Sequence, residues 1–348
     1  MQLTLSVTDQ SPMRRGEPPA NALRDTVLVA RAAERLGYAR YWVAEHHNTG
    51  SYAGTSPEIL VGQLLANTSR IRVGSGGVML SHYSALKVAE QFSVLESFYP
   101  GRVDLGIGRA PGSDHTTMFA LAYPKRPADI ETFPQQVVDL IGYLHNGLQP
   151  DHPFAAVKAR PGPPPDSAPE VWLLGSSDYS ANLAAYIGLP FAFADFFGHT
   201  GKHGPAVAEI YRRNFRPSPL CPEPRVNVTA QVVCAPTEEE ARFLASSRNL
   251  NRARRAIQAQ TGEAMQGLAP PEEASQIDLG PAAADYVAQF TDGYIDGDPA
   301  QVKDALLAMA ERYETTDVGV VTITYRVEDR IRSYELVARE FGLPETPA

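Results

Sequence analysis

The chain has 348 residues, 43% of them hydrophobic and 20% charged, a composition that suits one large globular core or two smaller ones. Its formal net charge of -9, with no basic stripe, argues against a nucleic-acid partner, and no apolar run is long enough to span a membrane. Cys221 and Cys234 stand apart and match no metal or redox spacing, so the simple reading is two thiols in a reducing compartment, with a disulfide as the alternative.

The first residues, Met1 to Val7, alternate like a strand and carry no basic or apolar leader pattern; no secretory signal is expected, and the expected location is the cytoplasm. A strand over Leu3 to Thr8 is followed by a helix over Ala22 to Leu36, whose Leu23, Val27, Ala30, Ala33 and Leu36 recur at helical spacing. Asn21 is placed to cap it and Gly37 to end it. The rhythm repeats: strand Arg40 to Ala44, helix Pro57 to Asn67, and strand Ile71 to Ser75 running through Gly76 and Gly77 into Val78 to Leu80. A helix with Val88, Phe92, Leu95 and Phe98 on one face then leads to strand Val103 to Ile107. A further helix carries Ile130, Phe133, Val137, Leu140, Ile141 and Leu144. The proline-rich stretch 160–170 reads as a surface loop, because the strand Val171 to Leu174 follows at once. Strands follow at Pro190 to Ala194 and Val226 to Cys234, then a long helix over Glu238 to Gln260. Residues 261–298 show little periodicity beyond a helix over 281–290, and read as an insertion or lid. A last strand, Val318 to Thr324, and a helix with Ile331, Tyr334, Ala338 and Phe341 close the chain.

Eight strands, each followed by a helix, predict a single (β/α)8 TIM barrel over residues 1–348, with insertions; a doubly wound sheet is the competitor and needs a clearer break between two domains. The active face of such a barrel lies at the C-terminal ends of its strands. There fall Asp9, Ser11 and Pro12; Glu45, His46, His47 and Asn48; Gly76 and Gly77; Arg109; Gly175, Ser176, Ser177 and Ser180; and Asp195, Phe196, Phe197 and His199. Arg109 sits in a Gly/Pro loop after an apolar strand, where a forked guanidinium suits a phosphate, or alternatively a surface pairing with Asp114 or another loop carboxylate. The turn Gly175 to Ser180 opens a helix, whose free N–H groups and serine hydroxyls favour an anion; plain capping by Ser177 or Asp178 is the other reading. Together with Arg109 on the neighbouring strand, the phosphate reading is the better one. The Glu45-His46-His47 run lacks metal-site spacing, and successive strand residues face opposite ways, so one histidine faces the pocket while Glu45 pairs with a nearby donor; no metal is expected. Phe193, Phe196, Phe197 and the 261–298 segment either line a substrate pocket or pack the barrel.

Several stretches together resemble the bacterial luciferase-like flavin monooxygenases, in the branch of single-chain oxidoreductases close to the luciferase subunits. They are Tyr41 to Asn48, Val73 to Leu80, Val88 to Phe92, Tyr99 to Asp114, Trp172 to Ser177, Leu189 to Ala194 and Arg332 to Leu336, in collinear order over nearly the whole chain. The resemblance implies a (β/α)8 barrel that takes reduced FMN from a separate flavin reductase. It reacts the flavin with O2 to a peroxide at flavin C4a, and oxygenates a small organic substrate. It implies that Arg109, Ser176, Ser177 and Ser180 hold the flavin phosphate, that His46 is catalytic beside the ring, and that Gly76 and Gly77 lie against the ring face with a non-proline cis peptide. It also implies a homodimer through early helices, here the one with Ile59, Leu60, Gln63, Leu64 and Ala66. The chain departs from that branch at Leu80 to Tyr83, at Asp195 to Phe197, and at Gly108, where the luciferase α-subunit has a reactive cysteine; these touch the substrate and ring-edge sides and leave the phosphate side intact. The alternatives are hydride transfer with a deazaflavin, which needs no O2, and a non-catalytic flavin-binding protein, against which the eight strands and His46 weigh.

Overall fold

The computed structural model describes residues 2–145, 147–161, 167–197, 199–261 and 267–345; the proline-rich positions 162–166 and positions 262–266 of the expected insertion lie outside the described residues. The first half alternates strand and helix as expected: β1 (Thr4–Asp9), α1 (Pro19–Arg35), β2 (Arg40–Val43), α2 (Pro57–Ala66), β3 (Arg72–Met79), α3 (Ala85–Phe98), β4 (Val103–Gly108), α4 (His115–Ala122) and α5 (Phe133–Leu144). The second half runs β5 (Glu170–Gly175), α6 (Asp178–Ile187), β6 (Phe191–Asp195), α7 (Gly204–Asn214), β7 (Val226–Cys234), α8 (Glu238–Thr261), α9 (Pro271–Ala274), α10 (Gly280–Thr291), β8 (Ile295–Gly297), α11 (Pro299–Arg312), β9 (Asp317–Val321) and α12 (Val327–Phe341). Strands β1 to β7 and β9 form a closed ring of eight parallel strands, sealed where β6 meets β7 and where β9 lies between β7 and β1. The short β8 pairs only with the end of β7, outside that ring.

The strands of the ring are largely buried on both faces, yet the two faces differ in kind. Residues turned outward, such as Leu5 and Val7, Tyr41 and Val43, Val103, Leu105 and Ile107, and Val318 and Val320, form one large apolar layer with the helices. The helices meet it with their own stripes, for example Val29, Ala30 and Ala33 of α1 and Tyr334, Val337 and Ala338 of α12. An ion pair lies in that layer and is answered there: Arg330 of α12 donates to Asp9 at 2.9 Å, and the Tyr41 hydroxyl donates to the same carboxylate at 2.6 Å. Asp9, expected on the active rim, is therefore a structural anchor for the last helix. The reason is parity, since it shares its face with Leu5 and Val7.

The inward residues are polar at the N-terminal end of the ring. Asp104, 0% exposed, accepts from Trp42 Nε1 at 2.9 Å and Arg72 Nε at 2.8 Å, and its carboxylate lies 3.3 Å from Arg40 Nε. Arg40 also pairs with Asp317 at 3.0 Å, which accepts from Asn227 at 2.8 Å, and Arg72 and Arg225 both pair with Glu170. Burial pushes the Asp104 carboxyl above its ordinary range, against the pull of Arg72 and Arg40. At Glu170 burial acts the same way, but the hydrogen bond and charge of Arg225, with Arg40 and Arg72, outweigh it and hold that carboxyl low. Above this layer Trp42 and Trp172 meet edge to face at 5.4 Å, with Ala192 beside them, and fill the middle of the barrel.

Three expectations need correction. Asn21 does not cap α1, which starts at Pro19 with Pro18 before it; proline needs no N–H partner at a helix start, and Asn21 instead donates to Glu17 at 3.0 Å. The short α4 and the long α11 have no counterpart among the expected elements. The capping box between Asp298 and Gln301 marks α11 clearly, and its buried Val302, Leu306, Met309 and Ala310 recur at helical spacing. Gly37, by contrast, does follow the end of α1, with φ at +80°. Both cysteines are free thiols.

The ionic layer yields a stability prediction. Asp104→Ala removes the shared carboxylate and leaves Arg40, Arg72 and the Trp42 N–H facing one another in the barrel. The expected cost is about 3–5 kcal/mol, read as a lower urea midpoint, whereas Asp151→Ala on an exposed loop should change stability by less than about 0.5 kcal/mol. Equal midpoints for the two variants would show that the layer does not hold the barrel closed.

Candidate active site

A cavity of about 450 Å³ opens at the C-terminal ends of the strands, within the range of about 300–1,000 Å³ that small-molecule sites occupy. Its floor is Trp42, standing on the ionic layer, with Gly76 and Gly77 of β3 at its side. The Gly76–Gly77 peptide is cis, and the β3–β4 register shifts there. Neither position has room for a side chain: a Cβ on Gly77 would stand 2.7 Å from the Gly106 carbonyl oxygen, and one on Gly76 3.0 Å from Trp42 Cβ. Bare backbone is thus presented to the cavity.

One end of the cavity gathers Arg109, Gly175, Ser176, Ser177 and Ser180. Arg109 follows β4, and its guanidinium lies 4.0 Å over the ring of Tyr179 in the first turn of α6. Among the described residues it makes no ion pair; the alternative pairing with Asp114 is not formed, because Asp114 caps α4, accepting from the Thr117 N–H at 2.9 Å. Ser177 occupies the cap position of α6 but makes no side-chain cap hydrogen bond, and Asp178 accepts from the Tyr179 N–H at 2.9 Å. A free guanidinium, a helix N-terminus and serine side chains therefore converge on one small volume. That donor set is complementary to a phosphate.

The middle of the cavity is bordered by Thr8, Gln10, Glu45 and His46. His46 and His47 lie in the loop beyond β2, not in a strand as expected, and there they turn to different partners. His46 borders the cavity with its ring 4.9 Å from that of Tyr52, while His47 turns to Glu45, Nε2 to Oε1 at 2.7 Å. Glu45 is buried and accepts from three donors, His47, the Tyr83 hydroxyl at 2.7 Å and the Met79 N–H at 2.8 Å. Burial, and then the Glu45 charge, push the Tyr83 hydroxyl well above the usual tyrosine range, so Tyr83 stays a donor. Among the described residues no three metal-ligating side chains gather at one point.

At the far end Phe196 and Phe197 face each other with ring centroids 4.6 Å apart. Phe193 borders the cavity too, but its ring is committed elsewhere: it packs 5.5 Å from Tyr313 in the strand–helix layer. It shares that outward face with Phe191, whereas Ala192 and Ala194 point inward. Asp195 is outward for the same reason, accepting from the buried Tyr313 hydroxyl at 2.9 Å. The side chain of His199 lies outside the described residues. Beyond the phenylalanines a narrow recess is walled by Gln231 of β7, by Arg248, Asn251 and Arg252 of α8, and by Tyr294. None of these five was singled out from the sequence. In the sequence Arg248, Asn251 and Arg252 recur at helical spacing, but as polar residues on a charged helix they read as a solvated face.

The sequence profile of the luciferase-like monooxygenase family matches residues 1–316. An N-acetyl-S-alkylcysteine monooxygenase of Bacillus subtilis is 36% identical over 97% of this chain and 97% of its own length. The crystal structure of apo-MsnO8 superposes with a TM-score of 0.87 at 37% identity, covering 99% of this chain and all of that one. Two more distant structures share the fold alone. The oxygenating constituent of 3,6-diketocamphane monooxygenase from Pseudomonas putida, in complex with FMN, has a TM-score of 0.72 at 18% identity, with 98% of each chain covered. An F420-dependent secondary alcohol dehydrogenase has a TM-score of 0.65 at 16%, with 98% and 99% covered.

Proposed function

The chain belongs to the luciferase-like monooxygenase family, and on that premise we propose that it is an FMN-dependent monooxygenase, using reduced FMN and O2 to oxygenate a small organic substrate. The observation that carries the reading is the cavity's phosphate end, where Arg109 has no ion-pair partner among the described residues and lies beside the N-terminus of α6. The residues fit the group. Arg109, with Ser176, Ser177 and Ser180, would hold its phosphate, and the bare backbone of Gly76 and Gly77 offers a flat face to a ring system. Bound reduced FMN would supply the electrons and the reactivity toward O2. The chain's own residues then have separate tasks. Glu45, through the Met79 N–H, ties the end of β2 to the end of β3 and keeps the glycine face in place. Phe196 and Phe197 exclude water from the far end. His46 faces the interior and holds or moves a proton at its ring nitrogen.

The relative's activity on N-acetyl-S-alkylcysteines makes thioethers of that type the first substrates to assay. Supply of reduced flavin by a separate reductase, a cytoplasmic location and a homodimer complete the proposal. The dimer would use α2 and α3, where Ile59 is 66% and Phe98 74% exposed while their neighbours Leu60 and Leu64 turn into the core.

Anaerobic titration with reduced FMN should show binding that Arg109→Ala weakens about ten- to a hundredfold, the worth of about 1.5–3 kcal/mol for a charge-assisted contact. Arg102→Ala should bind as wild type does, since Arg102 lies at the opposite end of β4, donating to the Thr68 and Ile71 carbonyls at 3.0 and 3.1 Å. Equal affinity for wild type and Arg109→Ala removes the anchor. Product formation that is indifferent to O2 replaces oxygenation with hydride transfer.

His46→Ala should keep FMN affinity but lose oxygenated product by about 10²–10⁴-fold, with O2 released as hydrogen peroxide instead. His47→Ala takes one of three donors from Glu45 and should lower the unfolding midpoint while leaving the ratio of product to peroxide unchanged. The reverse pattern would reassign the two histidines.

Sedimentation at micromolar concentration should give a dimer that Ile59→Glu with Phe98→Glu converts to a monomer. A monomeric wild type overturns the dimer.

A further inference from the structure

The recess beyond Phe196 and Phe197 shares four residues with the main cavity, Gln10, His46, Phe196 and Phe197, so the two spaces are contiguous. It measures about 40 Å³. On the measure by which one water needs about 10–15 Å³, that is room for about three non-hydrogen atoms.

The charges around it do not balance. Arg248 is fully engaged, donating to Asp296 at 3.0 and 2.6 Å and to Asn249 at 3.1 Å. Arg252, one turn further along α8, is held only by neutral groups among the described residues. It donates to the Tyr294 hydroxyl at 3.1 Å and stacks 4.2 Å over the Phe290 ring, while Tyr294 in turn donates to the Phe196 carbonyl at 3.1 Å. Among the described residues no aspartate or glutamate lines the recess. A second, independent deficit faces the same space: Gln231 of β7 is 2% exposed, and its Nε2 has no hydrogen-bond partner among the described residues. Buried amide N–H groups are almost always paired, so this one is open to an acceptor that enters the recess.

One chemical group answers both deficits. A carboxylate carries a single negative charge, accepts at two oxygens and has three non-hydrogen atoms. A phosphate brings about -1.5 to -2 charges against one unanswered cation, and is larger. We propose that this recess is a carboxylate subsite, that Arg252 and Gln231 are its specificity-determining residues, and that the enzyme's organic substrates are small monocarboxylic acids. The acid enters the recess, and the part to be oxygenated extends past Phe196 and Phe197 toward His46. The inference rests on the main cavity being the flavin site; the recess itself is defined by residues that the flavin end does not use.

The test is calorimetric titration of flavin-free protein with N-acetyl-S-propyl-L-cysteine and with its methyl ester, which differ only in the charged group. Wild type should bind the acid at least about tenfold more tightly than the ester. Arg252→Gln should bring the acid down to the ester's level and leave the ester where it was, and Gln231→Leu should weaken the acid alone by about three- to tenfold. The second variant carries the test if the first fails to fold. Equal binding of acid and ester, binding of neither, or an Arg252→Gln protein that weakens both alike overturns the subsite. The last of these is the result a purely structural Arg252 would give. FMN affinity is measured separately on the same proteins: its absence from wild type sinks the flavin reading, while the acid-to-ester ratio on flavin-free protein reports on the recess alone.

Discussion

A ring of eight strands encloses a space that side chains must fill, and in this protein its N-terminal end is filled with charge. Asp104 stands at the centre, answering Arg72, Arg40 and the Trp42 N–H from β3 and β2, while Glu170, Asn227 and Asp317 bring in β5, β7 and β9. Burying such charges is costly, and the cost is tolerable only because each is paired across strands. Removing any one partner strands the others. The layer therefore fixes the mutual register of six strands and seats Trp42 at a defined height. That indole is the floor of the cavity, so the depth of the site follows from the pairing beneath it.

Above the tryptophans the inward residues become small. Gly76 and Gly77, Gly106 and Gly108, and Ala192 and Ala194 leave the space that larger side chains would fill. The same residues that would weaken a strand elsewhere here make room for a ligand. The cavity that results has an uneven charge distribution. Around the ionic layer every cation is matched. At the rim two arginines, Arg109 and Arg252, are held by aromatic rings and neutral groups instead. Arg109 borders the main cavity and Arg252 the contiguous recess, while Glu45 on the cavity wall is occupied by three donors. Among the described residues the guanidinium groups of the ionic layer and Arg248 are thus paired with carboxylates, and Arg109 and Arg252 are not.

Many residues that border the candidate cavity are legible in the sequence. Arg109, the serine turn and His46 follow strand ends, which are found from apolar runs bounded by turn residues, whereas the glycine pair lies within β3 rather than at its end. His46 and His47 do take different partners, but they do so in the loop beyond β2, where the strand parity expected of them does not apply. The same parity, applied to Phe191, Phe193 and Asp195, would have placed those side chains in the outer layer. It was overridden there by the expectation that aromatic and acidic residues near a rim belong to the pocket. Asp9 fell to the same error. The α8 residues were missed for a different reason: a helix with Glu238, Glu239 and Glu240 at its start and arginines along its length reads as solvated, and nothing local reveals that one of its faces closes a recess.

The amino-acid sequence by itself determined the succession of strands and helices, the parallel barrel they build, and which loops carry groups able to meet an anion. These follow from periodicity and turn chemistry, which act over a few residues. Tertiary structure alone decided which charges are satisfied. Arg248 and Arg252 are alike in sequence, but Asp296 reaches only the first, because β8 lies against the end of β7 and brings that carboxylate to one guanidinium and not the other. Likewise Asp114 lay within reach of Arg109 along the chain, yet caps a helix and leaves the arginine to the cavity. Electrostatic pairing depends on distances of a few ångströms between groups far apart in sequence, and only the folded chain sets those distances.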